Sequence, residues 1–156
     1  MNNYDVKEIL PLEVIKEIYH YPNQKIQFHN CKINNTADDR YLNFIVHGFN
    51  CNYCGLKGKY VKLEKNCKGW HFNVYGIDEN GKEIQMTKDH IYPKSKGGLN
   101  NIKNYQVLCE KCNTFKKDIS PILLRDALKN GYATTKSVER AIKARQTECF
   151  KRGIKK

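Results

Sequence analysis

The chain has 156 residues, 40% hydrophobic and 11% aromatic, which suits one domain with a modest core and excludes a disordered chain. Its formal net charge of +12 favours a polyanionic partner, most often nucleic acid, although a solvated basic surface would carry the same charge. No apolar run has the length of a membrane span and the N-terminus lacks a signal peptide's apolar region, so we predict an intracellular, cytoplasmic protein without a membrane partner.

The first 50 residues are predicted to contain a helix and a strand. Apolar residues recur with roughly helical spacing over 5–20, and the cleaner helix is expected to start at Pro11. Turn-forming residues over 30–40 predict a loop. The segment 41–49, YLNFIVHGF, is expected to be a strand that leads into the first cysteine pair.

The middle of the chain predicts strands. Residues 59–65, KYVKLEK, alternate between polar and apolar side chains. The segment 70–91 predicts a hairpin that turns at 78–81, where Asn-Gly favours positive φ. A Gly-rich loop, a short strand at 105–109 and a helix that begins near the second cysteine pair are expected to follow.

The C-terminal part is predicted to be helical and basic. One helix is expected over 122–131, ended by Gly131, and another over 137–152, capped by Ser137. Residues 134–156 contain eight Lys or Arg and two Glu, so they carry half of the net charge. This tail is therefore a candidate for DNA contact.

Seven cysteines include two C-x-x-C pairs, Cys51/Cys54 and Cys109/Cys112. An odd count without a signal peptide disfavours a disulfide framework, whereas two such pairs supply the four thiolates of a tetrahedral structural zinc. Buried free thiols and a redox C-x-x-C are the alternatives. The long separation of the pairs requires an inserted hairpin between them. The single cysteines are expected to be small buried hydrophobes: Cys31, Cys67 and Cys149.

A second group of polar residues could hold a catalytic cation. Asp89 and Asn113 offer oxygen ligands suited to magnesium or manganese. His90 follows Asp89 directly, and a histidine can take a proton from water near neutral pH. A metal beside a base is what phosphodiester hydrolysis needs. In isolation His90 would be a structural loop residue, and only the surrounding pattern favours catalysis.

At this point the residues DHIYPKSKGG…NNIKNYQVLCEKCNTFK, with the upstream C-x-x-C, resemble the HNH endonucleases of the four-cysteine, zinc-braced type. The resemblance covers 51–54 and 86–117. It implies an α+β fold: a ββα-metal core with structural zinc, an inserted β-hairpin, and flanking N- and C-terminal helices. The expected domains are an extension of unknown role (1–50), the nuclease core (51–118) and basic helices (119–156).

Carried over by position, the resemblance implies that His90 is the general base and that Asp89 and Asn113 bind the catalytic metal. Asn104 would order the loop that poses His90, and the four paired cysteines would bind structural zinc. The last motif position is Asn113 rather than the commoner His, a variant that the family tolerates. The insert 55–85 has no counterpart in the family pattern.

The expected function is metal-dependent hydrolysis of double-stranded DNA, and the resemblance implies 5′-phosphate and 3′-hydroxyl products. For any single basic side chain, the sequence is equally consistent with a solvated surface position and with contact with a phosphate. The alternatives are a non-catalytic zinc-dependent nucleic-acid-binding module and a zinc module for protein interaction, which leave Asp89, His90 and Asn113 unexplained. The residues expected to contact nucleic acid are Lys94, Lys96, Lys116, Lys117, Lys136, Arg140 and Lys143.

Overall fold

The computed structural model describes residues 5–116, 128–136, 139, 140 and 143. The chain divides into two compact units. Unit 1 consists of Met1–Asp89 and Gln106–Phe115, and unit 2 consists of His90–Tyr105 and Lys116–Lys156. None of the helices in the described ranges is both long and apolar enough to cross a membrane.

A five-stranded sheet forms the centre of unit 1, and a two-stranded sheet accompanies it. The strands of the large sheet follow the order β1-β4-β5-β6-β7, and its first three pairings are antiparallel. Two short strands, β2 and β3, pair antiparallel in the small sheet. The seven strands are β1 (Asp5–Leu10), β2 (Ile26–Phe28), β3 (Cys31–Ile33), β4 (Gly58–Asn66), β5 (Gly69–Ile77), β6 (Glu83–His90) and β7 (Tyr105–Cys109).

Up to Lys116 the α-helices are α1 (Val14–Ile18), α2 (Asp39–His47) and α3 (Glu110–Lys116). Buried side chains of α1 and α2 pack with the central strands β4 and β5, where Leu63 and Phe72 are fully shielded from solvent. The architecture is therefore mixed α+β, as predicted.

The prediction of a strand over 41–49 is wrong, because residues 41–47 belong to α2. The Asp38 carboxylate caps the helix by accepting a 2.7 Å hydrogen bond from the Arg40 amide. Tyr41 and Phe44, three residues apart, are both buried on one side. Gly48 ends the helix with a φ of 80°. The aromatic and β-branched residues of this segment therefore pack into the core from a helix rather than from a strand.

The N-terminal prediction is correct only after Pro11. Residues 5–10 form β1, whose backbone pairs with β4, and the short helix α1 begins at Val14. The loop prediction for 30–40 is also wrong in part, since β3 lies within it. In β1, a strand partner that is distant in sequence overrides local spacing, whereas β3 pairs with the neighbouring strand β2.

The predictions for the middle of the chain are confirmed. The hairpin of β5 and β6 turns at Gly81, whose φ is 75°. The strand β7 and the helix α3 occupy the predicted places, and the β4–β5 hairpin lies between the two cysteine pairs in sequence. Cys31 is buried as expected, but Cys67 is exposed in the β4–β5 turn, so that prediction is wrong.

Part of the C-terminal segment is described, within unit 2. Leu128 and Lys129 are helical, and Gly131 follows with a φ of 72°. Ala133 forms an isolated antiparallel bridge with Gly98, and the Leu99 amide donates a 2.7 Å hydrogen bond to the Tyr132 carbonyl. Outside the described residues lie Lys117, Cys149, the Ser137 cap, and most of the predicted helices 122–131 and 137–152.

Candidate active site

The four paired cysteines come together in unit 1. Their sulfur atoms all lie within 4.8 Å of one another. The Cys54 and Cys109 sulfurs are 3.8 Å apart, which equals the separation of about 3.8 Å expected for two sulfurs at 2.3 Å from a tetrahedral zinc. Cys51 and Cys54 lie in the turn that follows α2, where the Gly55 amide donates a 2.9 Å hydrogen bond to the Cys51 carbonyl. Cys109 ends β7 and Cys112 lies on α3.

The surroundings of the thiols differ. Burial raises the pKa of Cys109 and of Cys112. Burial also raises the pKa of Cys51, but backbone hydrogen bonds at Cys54, Cys109 and Tyr53 outweigh this effect and lower that pKa to about 7. Backbone dipoles thus stabilise one thiolate, whereas a cation would be needed to stabilise four together. The four-cysteine cluster therefore fits a structural metal such as zinc.

Asp89 is linked to the first cysteine pair through one buried side chain. Gln106, in the middle of β7, donates a 2.8 Å hydrogen bond from Nε2 to Asp89 Oδ2. Its Oε1 accepts a 3.1 Å hydrogen bond from Asn52 Nδ2, and Asn52 lies between Cys51 and Cys54. The Asn52 amide also donates to the Val107 carbonyl at 2.8 Å. Gln106 therefore connects the cysteine turn to the carboxylate.

Sequence reasoning missed Gln106. The available signal was a polar residue inside the otherwise apolar strand YQVLC, since a buried amide needs hydrogen-bond partners. The identity of those partners could not be inferred, because Asn52 and Asp89 are distant from Gln106 in sequence.

Asn113 is held beside the strand that carries Asp89. Its Nδ2 donates a 3.0 Å hydrogen bond to Thr87 Oγ1, which in turn donates a 2.8 Å hydrogen bond to the Leu108 carbonyl. Thr87 and Asp89 are two residues apart on β6 and share one face of the strand. Because the Asn113 amide is fixed through its nitrogen, its oxygen is the atom that can ligate a cation. Unit 1 thus offers a carboxylate and an amide oxygen from adjacent elements.

In unit 2, Asn104 closes the loop that follows His90. Its side chain is fully buried and makes three hydrogen bonds. Oδ1 accepts from the Tyr92 amide at 2.8 Å, while Nδ2 donates to the carbonyls of Tyr92 at 3.1 Å and Leu99 at 3.0 Å. The Asn104 carbonyl accepts from the Ile91 amide at 2.8 Å. One side chain therefore determines the path of the loop.

Close packing adds a second constraint to this loop. A Cβ atom on Gly98 would lie 2.0 Å from the Tyr92 carbonyl oxygen and 3.0 Å from Asn104 Nδ2, so only glycine fits there.

His90 is oriented by neighbours of unit 2. Its Nε2 lies 2.9 Å from Asn100 Oδ1, and its ring meets the edge of Tyr105 at a centroid distance of 5.0 Å. Since the Asn100 oxygen can only accept, Nε2 is the protonated nitrogen and Nδ1 is the basic one. The Lys116 ammonium donates to the His90 carbonyl.

Comparison with known proteins shows which family part of the chain resembles. A family model described as HNH endonuclease matches residues 78–127. Residues 78–127, called the HNH segment below, are therefore similar to the HNH endonucleases. No curated protein and no solved structure matches the chain. The HNH segment contains Asp89, His90, Asn104 and Asn113 together with the second cysteine pair, and it begins after the first pair. The resemblance inferred from the motif is thereby confirmed.

The expected nucleic-acid contacts lie in different surroundings. Lys94 and Lys96 are exposed on a short 3₁₀ turn within the HNH segment. Lys116 is only 3% exposed and binds the His90 carbonyl, so its ammonium helps to position backbone rather than presenting itself at the surface. The three expected contacts that the structure describes beyond the segment are exposed: Lys136, Arg140 and Lys143.

Proposed function

We propose that the protein is a metal-dependent HNH endonuclease that hydrolyses phosphodiester bonds of DNA. One observation carries the proposal: the segment that matches the HNH endonucleases contains the consecutive residues Asp89 and His90, followed by a loop that is closed by the buried Asn104. A protein that only binds nucleic acid does not need a histidine followed by a loop whose conformation is fixed by a buried side chain.

In this proposal His90 is the general base. The hydrogen bond from Nε2 to Asn100 leaves Nδ1 to accept a proton from a water molecule, which then attacks the phosphorus atom. Asn104 is a positioning residue, because its three hydrogen bonds set the backbone that immediately follows His90. A general base of this kind contributes typically 10²–10⁴-fold to the rate.

Asp89 and Asn113 would hold one divalent cation, magnesium or manganese. A carboxylate and an amide oxygen are hard donors that suit these ions. Gln106 fixes the carboxylate, and Thr87 fixes the amide of Asn113. The bound cation would neutralise the scissile phosphate and stabilise the departing 3′ oxygen. The products would then carry 5′-phosphate and 3′-hydroxyl ends, as the family resemblance implies.

The finer fold assignment belongs to the same proposal. We assign β6, β7 and α3 to a ββα-metal core, with the four-cysteine cluster as a structural zinc site that braces it. The zinc would have no catalytic role, because four protein sulfurs leave no coordination position for substrate.

Double-stranded DNA is the proposed partner. The net charge of +12 supports a nucleic acid, and hydrolysis by an external water does not use the 2′-hydroxyl that distinguishes RNA. Two exposed lysines of the HNH segment, Lys94 and Lys96, lie on the loop between His90 and Asn104, where they could contact phosphates.

Plasmid cleavage tests the function. Supercoiled plasmid and structured RNA are each incubated with the protein in buffer with magnesium, with manganese, and without a divalent cation. We expect cleavage of the plasmid only when a divalent cation is added. His90→Ala should lower the rate by about 10²–10⁴-fold, with the melting temperature nearly unchanged, whereas His47→Ala, an exposed histidine of α2, should cut like the wild type. A His90→Ala protein with near wild-type activity would falsify the mechanism.

A non-catalytic zinc-dependent nucleic-acid-binding module remains the second candidate, since the four-cysteine cluster and the positive charge fit it equally well. Under that alternative the protein binds DNA but leaves the plasmid intact with every cation. The same experiment therefore separates the two functions.

A further inference from the structure

A polar cavity of about 440 Å³ lies in unit 1 beside the strand that carries Asp89. Its walls come from the N-terminal end of α2, the β4–β5 turn, and strands β5 and β6. The volume is within the range of about 300–1,000 Å³ typical of small-molecule sites. Nothing in the proposed mechanism uses this cavity.

The lining is basic. Three cationic side chains, Arg40, Lys68 and Lys88, face one carboxylate, Asp38. Lys88 also lies 3.7 Å from Asp39. His71 is a further wall residue, and Asn66 Oδ1 lies 2.8 Å from its Nε2. The lining thus combines cations with amide and imidazole groups, which are the groups that bind phosphate oxygens.

The positive charge of Arg40, in the wall of this cavity, is only partly compensated by its neighbours. Its side chain is 23% exposed, Nη1 donates a 2.9 Å hydrogen bond to Asn73 Oδ1, and Nη2 is 3.9 Å from Asp38. Its Nε atom is buried without a hydrogen-bond acceptor among the described residues. A largely buried guanidinium with one distant carboxylate is incompletely compensated within the fold, and an anion in the cavity would supply the missing charge.

The state of His71 agrees with a positive potential. Burial lowers the pKa of His71, and the charges of Arg40 and Lys68 lower it further against a smaller opposing effect of Asp38. The surroundings therefore favour the neutral imidazole, whose Nε2–H is donated to Asn66 Oδ1, so Nδ1 would donate to a phosphate oxygen only after protonation, which the charge of a bound anion would favour.

The cavity is adjacent to the proposed cleavage site. Thr87 lines it and also binds Asn113, and Lys88 precedes Asp89 directly in the chain. Thr87 and Asp89 are two residues apart on β6, which corresponds to about 6.6 Å along a β-strand. If the scissile phosphate lies at Asp89, a neighbouring phosphate of the same DNA strand would therefore lie over the cavity. We propose that this cavity binds a backbone phosphate of the DNA strand next to the phosphate that is cut, an inference that rests on the proposed function.

Equilibrium binding tests the subsite in the full chain. The affinity for a fluorescently labelled DNA duplex is measured at several salt concentrations without added divalent cation, so that no cleavage is needed. Arg40→Gln/Lys68→Gln removes two cavity charges. Lys32→Gln/Lys82→Gln removes two exposed charges of the same unit that do not line the cavity. Melting temperatures of both proteins are measured alongside.

The cavity variant should bind DNA about tenfold more weakly or worse, and the slope of log affinity against log salt should become shallower by about 0.9, because one phosphate contact is lost. The control should keep the wild-type slope. Because Arg40 bonds Asn73, its loss could disturb the fold. Lys68→Gln alone, at an exposed position, should still make the slope shallower, by less than the double variant does.

Equal slopes for the cavity and control variants would overturn the proposal, as would a wild type that does not bind DNA. The outcome is separable from that of the nuclease proposal. A wild type that never cuts, combined with a shallower slope for the cavity variant, supports the phosphate site and rejects the nuclease. Cleavage by the wild type, combined with an unchanged slope for the cavity variant, supports the nuclease and rejects the phosphate site.

Discussion

The four-cysteine cluster of unit 1 and the loop after His90 in unit 2 are held together by different chemistry. The cluster brings together thiols from two segments that are far apart in the chain, and burial opposes ionisation of Cys109 and Cys112. The loop is closed by neutral hydrogen bonds from one buried amide, Asn104, and by the close packing of Gly98. The first arrangement fits a structural metal, whereas the second is held by neutral hydrogen bonds and close packing.

This difference implies two modes of failure. If the cluster binds a structural metal, removing a ligand leaves only a few hydrogen bonds between the two cysteine segments, so we expect the loss to extend to the fold. Removing a hydrogen bond from the loop displaces the backbone around His90 and affects catalysis before stability. Mutations can therefore test the two regions separately.

The largest effect is expected from Cys109→Ser. Structural zinc contributes apparent free energies of about 10–16 kcal/mol, which is as large as the whole stability of a typical domain. The variant should unfold or aggregate, whereas the wild type should contain about one zinc per chain by elemental analysis. Cys67→Ser, at an exposed cysteine outside the cluster, should keep both zinc and fold. A soluble, folded and zinc-free Cys109→Ser protein would show that the cluster is not a structural metal site.

The loop should respond differently to Asn104→Ala. The substitution leaves the buried Tyr92 amide without its acceptor, at a cost of about 1–3 kcal/mol. Cleavage should fall about 10²-fold, as for a displacement of 1 Å at a catalytic group, while the zinc content stays unchanged. Asn101→Ala removes only the cap of a short 3₁₀ turn in the same loop and should cut nearly like the wild type. Unimpaired cleavage by Asn104→Ala would mean that the loop does not position His90.

Gln106 offers a test of whether the cysteine turn and the carboxylate act together. In Gln106→Glu the donor to Asp89 is replaced by a second carboxylate, while an acceptor for Asn52 is kept. The manganese concentration needed for half-maximal cleavage should rise about tenfold, at the lower end of the effect of ligand-orienting groups. Asn52→Ala breaks only the link to the cysteine turn and should shift the manganese dependence less. An unchanged manganese dependence in Gln106→Glu would contradict a positioning role.

The smallest catalytic effect is expected from removing the basic tail, residues 134–156. Six net positive charges are lost, so affinity should fall for every DNA sequence and the salt slope should become shallower by about 0.9 per lost phosphate contact. Saturating DNA at low salt should largely restore turnover. Lys136→Gln/Arg140→Gln/Lys143→Gln is the full-length counterpart, because these three side chains are exposed. If the tail instead completes the core, truncation will lower the melting temperature and leave the slope as it was.

Local signals explain what the sequence could predict. The C-x-x-C pairs, the Asn80-Gly81 turn and the alternation over β4 are each encoded within a few residues. The helix α2 was misjudged because its β-branched and aromatic residues resemble those of a strand, although the Asp38 cap and the spacing of Tyr41 and Phe44 are visible in the sequence.

Other features depend on partners far away in the chain. The bonds of Gln106 to Asn52 and Asp89, and the bond of Asn113 to Thr87, arise only once β6, β7 and α3 are adjacent. The cavity around Arg40 likewise requires α2 to lie against the sheet, which the strand prediction for 41–49 excluded. The motif residues were therefore predictable, but not the groups that hold them.

The hydrogen bond between Leu99 and Tyr132 has a consequence for the order of events during synthesis. All four cysteine ligands have been synthesised once Cys112 is added, but Tyr132 follows 20 residues later. At translation rates of about 5–20 residues per second this interval lasts about 1–4 s. A nascent chain can thus bring its four paired cysteines together before the loop beside His90 has gained its C-terminal partner.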